Sequence, residues 1–71
     1  MTWLDVDEIL YDGDEDSIKK IKCPDCGGKI RYSYYEGTFK RECLSCMILI
    51  KDDKAPAPNC VKYFGKQATI Q

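Results

Sequence analysis

Four cysteines of this chain fall into two Cys-x-x-Cys pairs, Cys23 with Cys26 and Cys43 with Cys46, and sixteen residues separate the pairs. A short turn lets the two thiolates of a pair reach the same metal ion, and a hairpin between the pairs can bring both turns together. Four thiolates complete a tetrahedral coordination shell. The spacing therefore predicts one structural Zn²⁺ bound by Cys23, Cys26, Cys43 and Cys46.

The same ligand set also suits a redox iron site of the rubredoxin kind, which stays open as an alternative. Such a site usually has glycine after the second cysteine of each pair, whereas Met47 follows Cys46 here. Thioredoxin-like chemistry needs a βαβ context that is absent. A disulfide framework fits poorly because the five cysteines are odd in number and the N-terminus has no basic leader. We therefore expect a metal protein of the reducing cytoplasm.

The length and the composition limit the possible activities. A chain of 71 residues buries too little apolar surface to be comfortably stable without a metal or another cross-link. The chain contains no histidine, which excludes a Cys₂His₂ site and a histidine general base. No apolar run approaches the roughly 20 residues of a membrane span. We expect a protein that is not an enzyme, with no membrane contact and no small-molecule substrate.

The N-terminal segment, residues 1–20, predicts a short amphipathic helix over residues 3–11 followed by a turn. Thr2 can cap this helix, with Asp5 completing a capping box. Apolar residues recur at helical spacing at Trp3, Val6, Ile9 and Leu10. Asp14 or Ser17 can cap one further helical turn.

Residues 21–54 predict a metal-bound ribbon. Residues 29–35 and 38–43 alternate as strands, and Glu36-Gly37 fits a two-residue hairpin turn. In that register residue numbers pair to a sum of 73, which places Tyr34 opposite Phe39 and Arg31 opposite Glu42. A third strand follows over residues 47–51. Met47, in the place of a knuckle glycine, indicates either a different local turn or backbone strain.

Residues 55–71 read as a proline-containing linker with a C-terminal appendage, within one compact domain. Asn59 is a good N-cap for a short helical turn. Residues 67–71 predict a terminal edge strand. The simplest prediction for Cys60 is a small, buried, apolar side chain. The alternatives are a reactive thiol and a metal ligand that replaces one of the four paired cysteines.

Residues 21–51 resemble the zinc ribbon family in their order of knuckle, hairpin, knuckle and strand. The resemblance implies a small metal-stabilised β-rich domain with a three-stranded antiparallel sheet, to which this chain adds a short N-terminal helix. Zinc ribbons include nucleic-acid binders, polymerase subunits and interaction modules. The resemblance therefore specifies the fold and leaves the function open.

The charges are distributed unevenly along the chain. Residues 1–17 hold seven acids and no base, while residues 18–71 hold eleven bases and five acids. An acidic segment on a small scaffold favours binding to a basic protein surface, as in an inhibitor or immunity-type protein. The predicted partner-binding residues are Trp3, Asp12, Asp14, Glu15 and Asp16.

The alternative function is recognition of single-stranded RNA or DNA by the hairpin, which interleaves aromatic and basic residues. Its candidate residues are Tyr32, Tyr34, Lys40 and Arg41. The competing interpretation is structural: Tyr34 and Phe39 pack under the N-terminal helix, and Arg41 makes a cation–π contact with Tyr32.

Overall fold

The structure, a computed structural model, describes residues 2–70. Gln71, the predicted end of the terminal strand, lies outside these residues, as does Met1. The elements in chain order are α1 (Trp3–Asp12), α2 (Glu15–Lys19), β1 (Ile30–Tyr35), β2 (Thr38–Cys43), β3 (Leu49–Asp52), α3 (Asn59–Phe64) and β4 (Gln67–Ile70).

The hairpin of β1 and β2 has the register that the sequence predicts. Ile30 lies opposite Cys43 at one end and Tyr34 opposite Phe39 near the other. The turn residues Glu36 and Gly37 have φ values of 50° and 80°, and positive φ at both central positions is the requirement of a type I′ hairpin turn. β3 pairs antiparallel with β2, beginning at Leu49 rather than at the predicted residue 47.

The antiparallel sheet has four strands in the order β3-β2-β1-β4, one more than the three predicted for the ribbon. β4 is the predicted terminal edge strand, and it pairs with the edge of β1 that the hairpin leaves open. An unpaired edge exposes a row of backbone donors and acceptors, which β4 satisfies along β1. The C-terminal segment is therefore part of the sheet.

The helices pack on one face of the sheet, here called the inner face. Val6 and Leu10 of α1, Ile18 of α2 and Cys60 of α3 are fully buried against it. No helix of the described residues packs on the opposite face, here called the outer face. The side chains of the outer face are Arg31, Ser33, Tyr35, Thr38, Lys40, Glu42, Leu49, Lys51, Gln67 and Thr69.

Helix α1 begins with the predicted capping box. The Asp5 N–H donates to Thr2 Oγ1, and the Thr2 N–H donates to Asp5 Oδ2 at 2.8 Å. These two hydrogen bonds satisfy backbone donors that a helix N-terminus otherwise leaves unpaired. The backbone N–H of Thr2, and after it the Thr2 hydroxyl, donate to the Asp5 carboxylate and lower the pKa of Asp5 by stabilising its charged form. Asp14 caps α2 through a single hydrogen bond, which its Oδ1 accepts from the Ser17 N–H at 2.8 Å.

Asn59 does not cap α3 as predicted. The cap position is Pro58, no side chain caps the helix, and Asn59 is the first helical residue. Its side-chain Nδ2 instead donates to the Gly13 carbonyl at 3.2 Å and so ties α3 to the end of α1. Of the helices within residues 2–70, none has both the length and the apolar character that crossing a membrane requires.

Candidate metal centre

The four paired cysteines converge at one end of the sheet. Their Sγ atoms all lie within 4.8 Å of one another. Cys23 Sγ is 3.7 Å from Cys46 Sγ, and Cys26 Sγ is 3.4 Å from Cys43 Sγ. Tetrahedral coordination with metal–sulfur bonds of about 2.3 Å places neighbouring sulfurs about 3.8 Å apart. The cluster therefore has the dimensions of a site that binds one metal ion.

The two knuckles have the same backbone turn. The Gly27 N–H donates to the Cys23 carbonyl at 2.8 Å, and the Met47 N–H donates to the Cys43 carbonyl at 3.1 Å. Gly27 has a φ of 73° and Met47 a φ of 67°, so both residues are in the left-handed region. The prediction of a different local turn at Met47 is therefore wrong, and the alternative prediction of backbone strain applies. Met47 takes the glycine conformation, which costs a non-glycine residue about 1–2 kcal/mol.

The knuckles pack closely against each other at Gly28. A Cβ atom on Gly28 would lie 2.5 Å from Ser45 Oγ and 3.2 Å from Cys43 Sγ, so a larger residue would push the two knuckles apart. Two backbone hydrogen bonds join the same region: the Leu44 N–H donates to the Lys29 carbonyl, and the Cys23 N–H to the Gly28 carbonyl, each at 3.0 Å. The four sulfurs are thus positioned by the backbone as well as by any ion.

Backbone donors favour the thiolate form at Cys43. The N–H groups of Cys46 and Ser45 both point at Cys43 Sγ at 3.4 Å. They lower the pKa of the Cys43 thiol to about 6, the Cys46 N–H contributing most. The thiolate is the form that binds metals, so the backbone donors favour metal binding at Cys43 in particular. At Cys46 the Ile48 backbone N–H lowers the pKa, but burial and the neighbouring thiols together outweigh it and raise the pKa to about 12.

The cluster is half open to solvent. Cys23 and Cys43 are buried in the core, whereas Cys26 and Cys46 are exposed. The buried pair connects the cluster to the apolar side chains under the helices. The exposed pair gives solvent a direct approach to the sulfurs.

Trp3, a predicted partner-binding residue, is half-buried and contacts the ribbon. Its Nε1–H donates to Asp25 Oδ2 in the first knuckle at 3.4 Å, and its ring packs against the core. The acids predicted for partner binding are exposed: Asp12, Asp14, Glu15 and Asp16. They lie where α1 gives way to α2, on the helical side of the sheet.

The four predicted nucleic-acid residues do not form one surface. Tyr32 and Arg41 are buried on the inner face, each about 1% exposed, because strand alternation turns them toward the helices. Tyr34 is half-buried on the same face, and its hydroxyl donates to the Ala55 carbonyl at 2.9 Å. Lys40 lies on the outer face. The Tyr32 and Arg41 side chains are therefore not available for stacking on a ligand.

Arg41 is the centre of a buried polar network that the sequence does not predict. Its Nη2 donates to Asp7 Oδ2 at 3.0 Å, and its Nη1 is 2.9 Å from Asp52 Oδ2. Nε lies 2.9 Å from Asp7 Oδ1, at an angle too bent for a hydrogen bond. Burial raises the pKa of the Asp7 carboxyl, and the Arg41 charge opposes that shift. The network joins α1 to both β2 and β3.

The cation–π contact of Arg41 is made with Phe39 and not with Tyr32. The guanidinium carbon lies 4.8 Å from the centre of the Phe39 ring, two residues along the same strand. Phe39 is fully buried, with Tyr11, Tyr32 and Tyr34 around it. The expectation of packing under the N-terminal helix is confirmed for Phe39, whose ring contacts Tyr11 of α1, while Tyr34 packs against Phe39. The burial of Asp7 could have been predicted from the sequence. Asp7 lies four residues after Trp3 and three before Leu10, and therefore on the buried side of α1.

Cys60 is fully buried in the core, away from the four-cysteine cluster. Burial raises the pKa of its thiol to about 12. Its backbone carbonyl accepts a hydrogen bond from the Tyr32 hydroxyl at 3.0 Å. Cys60 is thus the small apolar side chain that the sequence predicts, and it lies outside the candidate ligand set.

Comparison with protein-family models, with curated proteins and with solved structures gives no match to this chain.

Proposed function

We propose that this chain is a non-catalytic binding protein whose fold depends on one Zn²⁺ held by Cys23, Cys26, Cys43 and Cys46. The observation that carries the proposal is the convergence of the four sulfurs, all within 4.8 Å of one another. Four protein ligands fill a tetrahedral shell and leave no position for water or a substrate. Such an ion acts as a cross-link rather than as a Lewis acid.

Zinc is the ion we propose, and iron in a rubredoxin-like redox site is the competing assignment. Both ions accept four thiolates in a tetrahedron. Metal analysis of protein made in a medium containing both ions separates the two. We expect one zinc per chain and a colourless solution. A coloured protein with one iron per chain would replace the structural assignment with electron transfer.

We propose further that the acidic segment binds a basic surface on another protein in the cytoplasm. Asp12, Glu15 and Asp16 are exposed. Of these three acids, only Glu15 forms an ion pair within residues 2–70, with Lys19 at 3.9 Å. Exposed acids of one sign accelerate the encounter with a basic partner. An inhibitor or immunity-type protein that masks such a partner fits these features.

A matched pair of variants tests this assignment. Glu15→Gln with Asp16→Asn removes two charges from the acidic segment and keeps Asp14, which caps α2. Glu36→Gln with Asp53→Asn removes two charges from exposed positions near the hairpin turn. The partner is captured, identified, purified and bound again in solution.

We expect the first variant to weaken that binding about tenfold at low salt and the second to change it little. Equal losses from both variants would remove the acidic segment from the proposed function.

A further inference from the structure

The outer face carries a row of four polar side chains that crosses all four strands. In strand order these are Lys51, Lys40, Ser33 and Gln67, each directly opposite its neighbour. Lys40 and Lys51 thus face each other on paired strands, an arrangement that destabilises a sheet when the charges are alike. Across the part of the chain that the structure describes, neither lysine has a carboxylate within 4.0 Å.

The neighbouring row of the outer face, unlike the row with Lys40 and Lys51, contains an ion pair. Two residues away on the same strands, Arg31 faces Glu42, and the two form an ion pair. The sheet therefore compensates one basic side chain of the outer face and leaves two adjacent ones uncompensated. An anion bound from solution would remove the repulsion between Lys40 and Lys51.

Two shallow hollows lie on the outer face and meet at the row of four polar side chains, at Ser33 and Lys40. One has a volume of about 560 Å³ and the other about 320 Å³, and both are lined by Ser33 and Lys40. Tyr35, which is 70% exposed, borders the smaller hollow together with one acid, Glu36, and both lysines. Leu49, 57% exposed, borders the larger. An extended ligand fits such an open surface better than a compact molecule does.

We propose that the outer face binds single-stranded nucleic acid, with phosphates on Lys40 and Lys51 and a base stacked on Tyr35. A basic surface that follows the backbone, together with an exposed aromatic ring, is the combination that single strands recognise. Ser33 and Gln67 add hydrogen-bonding groups along the same row. The acidic segment does not oppose this binding directly, because it lies among the helices on the other side of the sheet. This surface is separate from the one assigned to a protein partner.

The test is fluorescence anisotropy of the full chain with labelled oligo-U RNA and oligo-dT DNA over a range of salt concentrations. The variant Lys40→Gln with Lys51→Gln removes the facing pair. The control Lys20→Gln with Lys62→Gln removes two exposed lysines of the helical side. We expect the first variant to lose about tenfold in affinity at low salt and to flatten the slope of log K against log salt by about 1.4, as two phosphate contacts require. The control variant should keep both the affinity and the salt slope of the original chain.

Folding and stacking are checked separately. Because the facing lysines repel each other, the double variant should unfold at a temperature no lower than that of the original chain. Tyr35→Ala should weaken binding about tenfold by removing the stacking platform.

The proposal would be overturned by no binding of either oligonucleotide at low salt, by equal losses from the two lysine pairs, or by binding unchanged in Tyr35→Ala. Equal affinity for polyglutamate would also overturn it, by assigning the face to an acidic polypeptide. These outcomes leave the protein-binding proposal untouched, since the acidic segment is intact in every variant.

Discussion

The two faces of the sheet use the same residue types for opposite purposes. Arg41 on the inner face and Arg31 on the outer face both pair with acids, but the Arg41 side chain is 1% exposed and that of Arg31 is 54% exposed. Tyr32 is buried with its hydroxyl bonded to backbone carbonyls, while Tyr35 is open to solvent. The alternation of a strand, and not the residue type, therefore separates the structural residues of the hairpin from those available for binding.

The largest expected effect is on the inner face at the metal centre. Cys43→Ser removes one of the four sulfurs and leaves a buried hydroxyl in its place. Since metal binding in such small domains supplies much of the folding free energy, we expect an unfolded chain. Cys60→Ala, a change at a buried cysteine outside the cluster, should cost about 1–2 kcal/mol and leave a cooperative transition. Circular dichroism on heating distinguishes them, and a folded Cys43→Ser protein would contradict the assignment.

The next largest expected effect is the difference in stability between variants of the two arginines, Arg41 and Arg31. Arg41→Met removes the cation that faces Asp7 and Asp52 and leaves a half-buried carboxylate unpaired. We expect a loss of about 3 kcal/mol in the free energy of unfolding. Arg31→Met breaks the exposed pair with Glu42 and should change stability by less than about 1 kcal/mol. Urea unfolding of the two variants measures the difference, and similar costs would mean that the two faces are not energetically distinct.

These arginines also mark the limit of what the sequence predicts. The convergence of the four cysteines, the α1 capping box and the β1–β2 register all depend on neighbours within a hairpin or a helical turn, and each was predicted. The contact between Asp7 and Arg41 joins residues 34 positions apart, and the partner of β4 depends on which sheet edge is free. Strand alternation placed Tyr32 and Arg41 on one face but could not decide whether that face packs under the N-terminal helix or binds a ligand.

A smaller effect comes from the two tyrosines of β1. The Tyr32 hydroxyl donates to the carbonyls of Cys60 and Gly65, at 3.0 Å and 2.6 Å. Tyr32→Phe removes this donor from a buried position and should cost about 1–1.5 kcal/mol. Tyr35→Phe removes an exposed hydroxyl and should have an effect within about 0.5 kcal/mol. Thermal unfolding of the two variants tests the contrast, which disappears if both lose the same amount.

The smallest effect is a gain on the outer face. Lys51→Glu would place an acid directly opposite Lys40 and convert a repulsive pair into an attractive one. We expect stability to rise by about 0.5 kcal/mol at low salt and the gain to shrink as salt increases. Lys62→Glu, at an exposed position of α3, makes the same charge change away from the sheet. Urea unfolding at two salt concentrations measures both, and a gain in the α3 variant alone would mean that Lys40 and Lys51 do not repel each other.

The central claim is that four cysteines hold one structural zinc ion on which the fold depends. Native mass spectrometry of the isolated protein, before and after treatment with a strong chelator, tests it most directly. Cys26 and Cys46 are exposed, so a chelator can approach the proposed ion. We predict one zinc per chain before treatment, and afterwards a metal-free chain with the broad, high charge states of an unfolded protein. A metal-free chain that keeps the narrow, low charge states of a folded protein, or one that carries iron as isolated, would contradict this account.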